Sequence, residues 1–556
     1  MDFFKVILIT YIGIFTFYIN GYLLTRKLST HNLFNHVSIT CIMGTIVISF
    51  ISLFINFFYP LNKTIGNLFI LISLIFFIKL FFFEKKKFKF FFILSLISLV
   101  SAILISYENI NRPDAGLYHL PYIQILQENK ILIGLTNLHF RFGHTSIIQY
   151  LSAIYNNSLM PIEAISMPLA LLVSSFFIYL VSYFDHKYEN KFKILIFFVS
   201  IYVFYSFNRY SNFGNDATAH LFFFILIIKL FEIDFKKIRI DELGSLTLIS
   251  TFIFFQKSSM VFMLMIPLAI YLIFFAKNLF LFRNYKILFS ILFVFIWTLK
   301  NILISGCIVY PIWKSCFNNL SYTDLKEVKF VELNSEAYSK DWSNNKTKFR
   351  DMSTYSKDFN WVSTWNNNHF KYIKKKIIPY LIFILLFTII CKIFYSNKYN
   401  INNINYKKIS LILFFNLFLT FIWFVKFPIY RYGQSFIILN FIIIFYLFFL
   451  KFINYKNLSK IFNIFLLFVI LGISFKNVYR IHEKKKYKNI WPNIYTLSEK
   501  KEHNFKKNIK KVFNENKFIY YFSENGECLY NKSPCSNFYK INIKKKEKNG
   551  YTIFYQ

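Results

Sequence analysis

A short polar stretch between two apolar segments holds the residues best suited to chemistry in this chain. It covers residues 108–121 and places Asp114 and His119 a few positions beyond the hydrophobic run 88–105. A carboxylate at such a place faces water while lying beside lipid headgroups. It can act as a general base, taking the proton of a hydroxyl group as that hydroxyl attacks a carbon atom. This location suits a substrate whose tail stays in a bilayer.

Other polar and ionisable side chains fall at the same ends of the predicted membrane spans. They are His139 and Arg141 in the first large loop, Asp216 and Lys257 in later loops, Lys300 and Tyr310 around the end of one span, and Arg431 in a late short loop. Ionisable residues at membrane depth cost free energy and are therefore candidates for function. Two acids and several cations on one side favour sugar transfer from a lipid-linked phosphate.

Each charged candidate has a possible role in that reaction. Asp114 would accept the proton of the acceptor hydroxyl as it attacks the anomeric carbon. Asp216 would orient the acceptor, bind sugar hydroxyls or hold a divalent metal together with Asp114. The leaving lipid phosphate needs fixed cations. The candidates for these are Arg141, Lys257, Lys300 and Arg431.

The same residues also have purely structural interpretations. Asp114 could cap a helix over residues 115–129, and His119 could be a structural hydrogen-bonding group. The cations at 141, 257, 300 and 431 could extend their charged ends to the membrane surface. His119, His139 and His144 lack the spacing of a zinc site.

The composition is that of an integral membrane protein. Hydrophobic residues make up 56% of the 556 residues and the mean hydropathy is +0.43. The net charge of +38 comes from lysines scattered through loops and the tail. The absence of a basic stripe with interleaved aromatic residues argues against nucleic-acid binding. The first apolar segment is too long for a cleavable signal peptide and is expected to remain as a membrane helix.

Hydrophobic runs long enough to cross about 30 Å of hydrocarbon recur along the chain. They predict an all-α polytopic protein with about 12–14 transmembrane helices. The spans are 3–24, 37–58, 66–83, 89–107, 162–184, 193–207, 217–232, 245–255, 260–276, 287–304, 377–394, 409–426, 433–453 and 459–475. The two short spans on either side of residues 256–259 could instead form one broken helix.

Lysine and arginine predict how these spans are oriented. One set of alternate loops is basic, as in Lys236, Lys237 and Arg239, whereas the opposite short loops carry single basic residues such as Lys63 or Lys257. Basic short loops stay in the cytoplasm. Asp114, the outer loops 108–161 and 305–376, and the tail are therefore expected on the periplasmic side of a bacterial inner membrane.

The chain divides into three predicted parts. These are N-terminal transmembrane helices at 1–87, a transmembrane core at 88–475, and a small α+β extracytoplasmic domain at 476–556. In the tail, residues 518–523 and 551–555 are strand-like, and Cys528 and Cys535 flank a turn. Their spacing in an oxidising compartment predicts a disulfide bond, with two free thiols as the alternative. Cys307 and Cys316 are a second possible pair.

Several of these segments resemble parts of a known enzyme class. The segment 113–121 is similar to the Asp-x-x-x-Tyr-His-Leu-Pro element in the first outer loop of many bacterial GT-C glycosyltransferases, in which that aspartate is the presumed catalytic base. Residues 300–311 resemble their entry into a large outer loop, and 428–432 resemble their late Arg-Tyr turn. The cysteines 528 and 535 around Pro534 resemble those of a branch of bacterial membrane proteins typed by Leptospira members.

The resemblance covers roughly residues 88–450 and the tail cysteines, and two features depart from it. Ala115 follows Asp114 where several GT-C families have a second acid, which puts metal binding at an acidic pair in doubt. Three helices also precede the usual first catalytic span. The resemblance implies the GT-C fold, an inverting hexosyl or pentosyl transfer and a polyprenyl-phosphate sugar donor. It implies no certain cofactor, although a divalent metal is possible.

The predicted function is therefore transfer of a sugar from a polyprenyl-phosphate donor to a cell-envelope acceptor, with membrane lipids as surroundings. One alternative is a transporter or flippase of lipid-linked glycans. That class would need charges buried within spans or inverted repeats, whereas the interiors of these spans are nearly free of charge. The other alternative is a polymerase of lipid-linked glycans, which would centre on arginines in one large outer loop.

Overall fold

The chain is mostly helical, with a small region of strands near its C-terminus. The computed structural model describes residues 2–26, 32–84, 86–108, 114–185, 188–208, 216–275, 284–345, 350–395, 406–453, 459–484, 489–495, 509–515, 517–524 and 526–556. Helices account for 73% of the structure. Residues 109–113 of the polar stretch lie outside the described residues.

The α-helices are numbered in chain order. They are α1 Asp2–Thr25, α2 Leu33–Phe58, α3 Lys63–Phe83, α4 Lys87–Ile105, α5 Leu120–Glu128, α6 Ile147–Ala153, α7 Met167–Ser182, α8 Asn190–Ser206, α9 Asp216–Glu232, α10 Ile240–Gln256, α11 Met265–Phe274, α12 Tyr285–Ser305, α13 Leu325–Ser339, α14 Met352–Ser356, α15 Val362–Trp365, α16 Lys371–Tyr395, α17 Tyr406–Lys426, α18 Tyr430–Phe452 and α19 Ser459–Lys484.

Every predicted membrane span coincides with a helix. Among the described residues, ten helical segments are long and apolar enough to cross a membrane by length and composition. The other four predicted spans form shorter helices, namely α8, α9 and α10 with 17 residues each and α11 with 10. Between α10 and α11 the helix is interrupted at Lys257, whose backbone is extended, and a 3₁₀-helix follows over Ser258–Leu264.

Nearly every side chain of α7 is buried, because α1, α2, α4, α6, α8 and α9 pack against it. Contacts between helices include small hydroxyl groups, as at Thr10 and Ser98, whose oxygens lie 2.7 Å apart. Such polar contacts satisfy hydrogen bonds inside an apolar bundle. Near the polar stretch, Arg480 of α19 binds Glu108 at 3.1 Å and the carbonyl oxygen of Ser106 at 2.7 Å. This buried ion pair fixes the chain just before the segment that carries Asp114.

The tail forms two small sheets. Strands β1 Ile509–Asn514, β2 Lys517–Ser523 and β3 Cys535–Ser536 make one, with β1 antiparallel and β3 parallel to β2. Strands β4 Lys544–Lys548 and β5 Tyr551–Tyr555 form an antiparallel hairpin. Its turn residues Asn549 and Gly550 both have positive φ, 51° and 73°, which is the geometry that an Asn-Gly hairpin turn favours. The two strand-like segments noted in the tail are thus β2 and β5.

Two disulfide bonds close loops on the side of the molecule that holds the tail. Cys528 is bonded to Cys535, and Cys307 to Cys316. Mass mapping of the protein without reductant is expected to find both linked peptides, because each pair lies within a compact turn. Free thiols at 528 and 535 in freshly isolated protein would contradict this pairing.

Candidate functional site

A cavity of about 880 Å³ lies where the loops within 114–161 and 305–345 meet the ends of several helices. The start of α9, the end of α10, the start of α18 and the segment before α5 all contribute to it. Its lining includes seven of the nine candidate site residues that were identified from the sequence. These are Asp114, His119, Arg141, Asp216, Lys257, Tyr310 and Arg431. The structure therefore brings these residues from distant loops together at one cavity, as the sequence predicted.

Asp114 begins a helical segment that continues as a π-helical turn, Ala115–His119, and then as α5. Its side chain makes no capping hydrogen bond, so the interpretation of Asp114 as a helix cap is wrong. The carboxylate instead accepts a hydrogen bond from Arg431 Nη1 at 2.8 Å and one from Arg141 Nη1 at 3.4 Å. Burial raises the pKa of Asp114, but the positive charges of Arg431 and Arg141 outweigh burial and hold the pKa below its usual value.

Asp216 is the second carboxylate of the cavity. Its Oδ1 accepts a hydrogen bond from Lys257 Nζ, and its Oδ2 lies 3.8 Å from Arg431 Nε. Lys257 also lies over the ring of Tyr432, 3.2 Å from the ring centroid, which is a favourable cation–π arrangement. Arg431 therefore joins both carboxylates, because Asp114 binds its Nη1 while Asp216 lies near its Nε.

The charged cluster of the cavity consists of two carboxylates, Asp114 and Asp216, and three cations, Arg141, Lys257 and Arg431. It therefore carries one net positive charge. Arg431 and Arg141 remain partly accessible, with 49% and 35% of their side chains exposed. Cations that are both fixed and accessible can accept a further anionic partner. The arrangement therefore suits a ligand with a phosphate group beside the Asp114 carboxylate.

His220 of α9 fixes the backbone of Arg431. Its Nε2 donates to the carbonyl oxygen of Arg431 at 2.8 Å, so its Nδ1 accepts from the hydroxyl of Ser435 at 2.8 Å. This contact joins α9, which carries Asp216, to the first turn of α18. Sequence reasoning missed His220, because nothing in its spacing relates it to a residue more than two hundred positions away.

Two tryptophans hold the short loop before Arg431. Trp365 Nε1 donates to the carbonyl oxygen of Pro428 at 2.6 Å, and Trp423 Nε1 donates to that of Ile429 at 2.9 Å. Because these carbonyl groups precede α18, the first turn of that helix has a fixed direction. The sequence contains both tryptophans, but their role is seen only from the carbonyl groups that they bind, six positions along the chain for Trp423 and 63 for Trp365.

His119 lies in the wall of the cavity as a neutral ring. Its Nδ1 is 3.0 Å from Gln149 Nε2, and burial lowers its pKa to about 4. Burial lowers the pKa of His144 to about 4 as well. Arg141, Lys257 and Arg431 therefore supply the positive charge of this wall near neutral pH, and His119 acts as an oriented hydrogen-bonding group.

Two candidate residues take other places than expected. His139 lies behind the cavity wall, where its Nδ1 accepts from the backbone N–H of Arg141 at 3.0 Å and caps a short 3₁₀-helix. Lys300, predicted to bind the lipid phosphate, points into the protein interior, so the structural alternative in which it extends to the membrane surface is wrong. Its Nζ donates to Thr145 Oγ1 at 3.0 Å and lies 3.6 Å from the ring centroid of Trp297. His139 and Lys300 therefore lie behind the cavity lining and bind residues that belong to it, Arg141 and Thr145.

The loop after α12, together with α13, supplies the opposite wall. Tyr310 packs edge to face on His144 with 5.2 Å between ring centroids, and its ring covers Gly143. Helix α13 adds Glu332 and Glu336, which already have partners. Glu332 accepts from the backbone N–H of Trp313, and Glu336 binds Lys340 and Lys426. This wall offers aromatic faces and polar groups with little free charge.

The residues at this site do not fit a divalent metal. Among the described residues, no three His, Cys, Asp or Glu side chains come close enough to share an ion. Asp114 and Asp216 are separated by the guanidinium of Arg431, and each already has a cationic partner. The idea that the two carboxylates hold a metal together is therefore not supported by their geometry.

A comparison with protein-family models finds one match, to a family described as Domain of unknown function (DUF8201), over residues 4–438. The match includes every charged residue of the cluster at Asp114 and ends before the tail. No curated protein and no solved structure matches the chain.

Proposed function

The chain belongs to this family, and we propose that it is a glycosyltransferase of the GT-C type that uses a polyprenyl-phosphate sugar as donor. One observation carries the proposal. The carboxylate of Asp114 lies in a cavity of about 880 Å³ with three converging cations, at the ends of apolar helices. A general base beside a phosphate-binding cluster is what such a transfer requires.

The protein would be a polytopic protein of a bacterial inner membrane. The ten long apolar helices support a membrane location. The alternating lysine content of the short loops supports a cytoplasmic side opposite the Asp114 cavity. The cavity would therefore open towards the periplasm, where cell-envelope acceptors are available and where the donor's polyprenyl chain stays in the bilayer.

In the first step of the mechanism, an acceptor hydroxyl attacks the anomeric carbon of the donor sugar. The oxygen–carbon bond forms as the bond from that carbon to the phosphate oxygen breaks. Asp114 takes the hydroxyl proton, and the lipid phosphate leaves with the bonding electron pair. Attack from the face opposite the leaving group inverts the configuration at the anomeric carbon.

The leaving phosphate gains negative charge, and the cations of the cluster would stabilise it. Arg431 and Arg141 are the accessible candidates, while Lys257 is held by Asp216 and Tyr432. Because these groups are fixed before the reaction, little reorganisation accompanies the charge shift. Their excess positive charge also attracts the donor phosphate into the cavity.

Arg431 would also couple donor binding to activation of the base. Arg431 binds Asp114 at 2.8 Å, which lowers the proton affinity of that carboxylate. A donor phosphate that accepts hydrogen bonds from Arg431 competes with this contact. Asp114 then becomes more basic when the donor is in place, which limits proton uptake in its absence.

The proposed orientation gives a prediction from reporter fusions. A reporter fused after Lys87 is expected to be cytoplasmic, because that loop is basic. Reporters fused after Tyr155 and after Gln556 are expected to be periplasmic, since both positions lie on the side of Asp114. A cytoplasmic signal from the Tyr155 fusion would place the whole cavity on the wrong side for a periplasmic acceptor.

The reaction class is tested with protein reconstituted into vesicles. The vesicles contain polyprenyl-phosphate sugars labelled in the sugar, together with solubilised envelope glycans as acceptors. We expect label to leave the lipid and to appear in the glycan, with one polyprenyl phosphate formed for each sugar transferred. Movement of intact labelled lipid across the bilayer, without transfer, would instead identify a flippase.

A further inference from the structure

The C-terminal tail packs directly on the turn that carries Asp114. The carbonyl oxygen of Gly116 accepts hydrogen bonds from the backbone N–H groups of Cys528 and Leu529, at 3.1 and 2.9 Å. The disulfide between Cys528 and Cys535 closes the tail loop at this contact. A segment outside the family match thus contributes to the position of the proposed base.

Glu527 lies at the centre of this contact. Its Oε2 packs against Gly116, so close that a Cβ atom at position 116 would collide with it. Oε2 is buried, and it has no hydrogen-bond partner among the residues that the structure describes. A third carboxylate is therefore held against Gly116, two positions along the chain from Asp114, and its Oε2 is unpaired among the described residues.

We propose that Glu527 is a positioning residue of the site, which acts through Asp114 by keeping that carboxylate basic enough to take a proton. The proposal rests on the proposed function of Asp114. It adds a residue of the tail to a centre otherwise built from the helices and their outer loops.

The physical argument is the mutual effect of two nearby carboxylates. Burial and the negative charge of Asp114 raise the pKa of Glu527 to about 7. By reciprocity, an ionised Glu527 raises the proton affinity of Asp114. It counteracts the two arginines that lower this affinity. Proton uptake by Asp114 should therefore improve as Glu527 loses its own proton near neutral pH.

Among the described residues, the other charged groups near Glu527 do not explain a change in proton uptake by Asp114 near neutral pH. On the helical side, the charged groups are Asp114 and its partners Arg141 and Arg431. Further along α5 and the tail loop, Glu128 and Lys532 act on each other. Of the charged groups that the structure describes, Asp114 is the one that acts directly on Glu527.

The test compares Glu527→Gln with Glu524→Gln. Glu524 lies three positions earlier in the same tail, is 41% exposed and binds Lys510, so its replacement is the matched control. In the wild type and the control, kcat/KM for sugar transfer should rise as the pH increases through about 7. In Glu527→Gln this rise should disappear. At high pH, the rate of transfer should fall by up to about tenfold for each unit by which the substitution lowers the pKa of Asp114.

A stability measurement separates this role from simple packing and does not depend on sugar transfer. The pKa of Glu527 in the folded protein lies above its ordinary value of 4.5. Its protonated form therefore stabilises the fold, and this stabilisation is lost as the pH rises from about 4.5 to about 7. In detergent, the unfolding midpoint of the wild type should fall relative to that of Glu527→Gln over this window.

The outcomes distinguish the two proposals. If the stability difference appears while both variants keep the wild-type pH profile of transfer, Glu527 is only structural and the inference is overturned. If neither effect appears, the contact itself is refuted. If the stability difference appears but the wild type transfers no sugar at any pH, the proposed function fails, and the positioning role of Glu527 fails with it.

Discussion

Replacing Asp114 by asparagine is expected to lower the rate of sugar transfer by about 10²–10⁴-fold, because the amide cannot accept the proton of the acceptor hydroxyl. The side chain keeps its size, and the variant should insert and accumulate like the wild type. Transfer in reconstituted vesicles, normalised to the amount of folded protein, measures the effect.

Asp324→Asn is the matched control for Asp114→Asn. Asp324 also lies in a loop between predicted spans, but it caps α13, where its carboxylate accepts from the backbone N–H groups of Lys326 and Glu327 at 3.0 Å each. Asparagine caps helices about as well as aspartate, so this variant should keep both stability and activity. Near-normal transfer by Asp114→Asn would refute the base assignment and make Asp216 the next candidate.

Replacing Arg431 by glutamine is expected to lower kcat by about 10²–10³-fold, as the loss of a fixed group that stabilises a leaving anion does in other enzymes. KM for the donor should also rise, because Arg431 is an accessible cation in the cavity. Arg431→Lys should restore only part of the activity. A lysine ammonium group cannot reproduce the guanidinium geometry that joins Asp114 and Asp216. Initial rates over a range of donor concentrations separate the two effects.

Arg239→Gln serves as the control for the loss of an arginine. Arg239 is paired with Glu242 at the start of α10, at the opposite end of that helix from Lys257, and 69% of its side chain is exposed. Such surface ion pairs contribute little to stability, so transfer should remain unchanged. Wild-type kinetics for Arg431→Gln would show that the phosphate is bound elsewhere.

The helices were predictable because membrane spans depend on local composition. In lipid, an apolar segment must satisfy its backbone hydrogen bonds within itself, as a helix does. Hydropathy alone therefore predicts where most of each such helix lies. The helix bounds were less predictable, as α10 and α11 show. There the chain breaks at Lys257, whose side chain binds Asp216 and Tyr432, and such contacts are not encoded in local hydropathy.

The candidate site was predictable only in part. Asp114, Asp216 and Arg431 stood out because charges are rare near apolar segments. The direction of a side chain, however, depends on long-range packing. Lys300 therefore points inward to Thr145 rather than to the membrane surface. His220 and Glu527 were missed for the same reason, since each contacts the backbone of a residue more than two hundred positions away.

The central claim is that Asp114 serves a single direct displacement at the anomeric carbon. The configuration of the product tests this claim most directly. Purified protein is supplied with a polyprenyl-phosphate sugar of known anomeric configuration, and the new glycosidic bond is assigned by NMR before any further reaction. We predict that the product has the opposite configuration from the donor. A product with the donor's own configuration would contradict the displacement and the role of Asp114 in it.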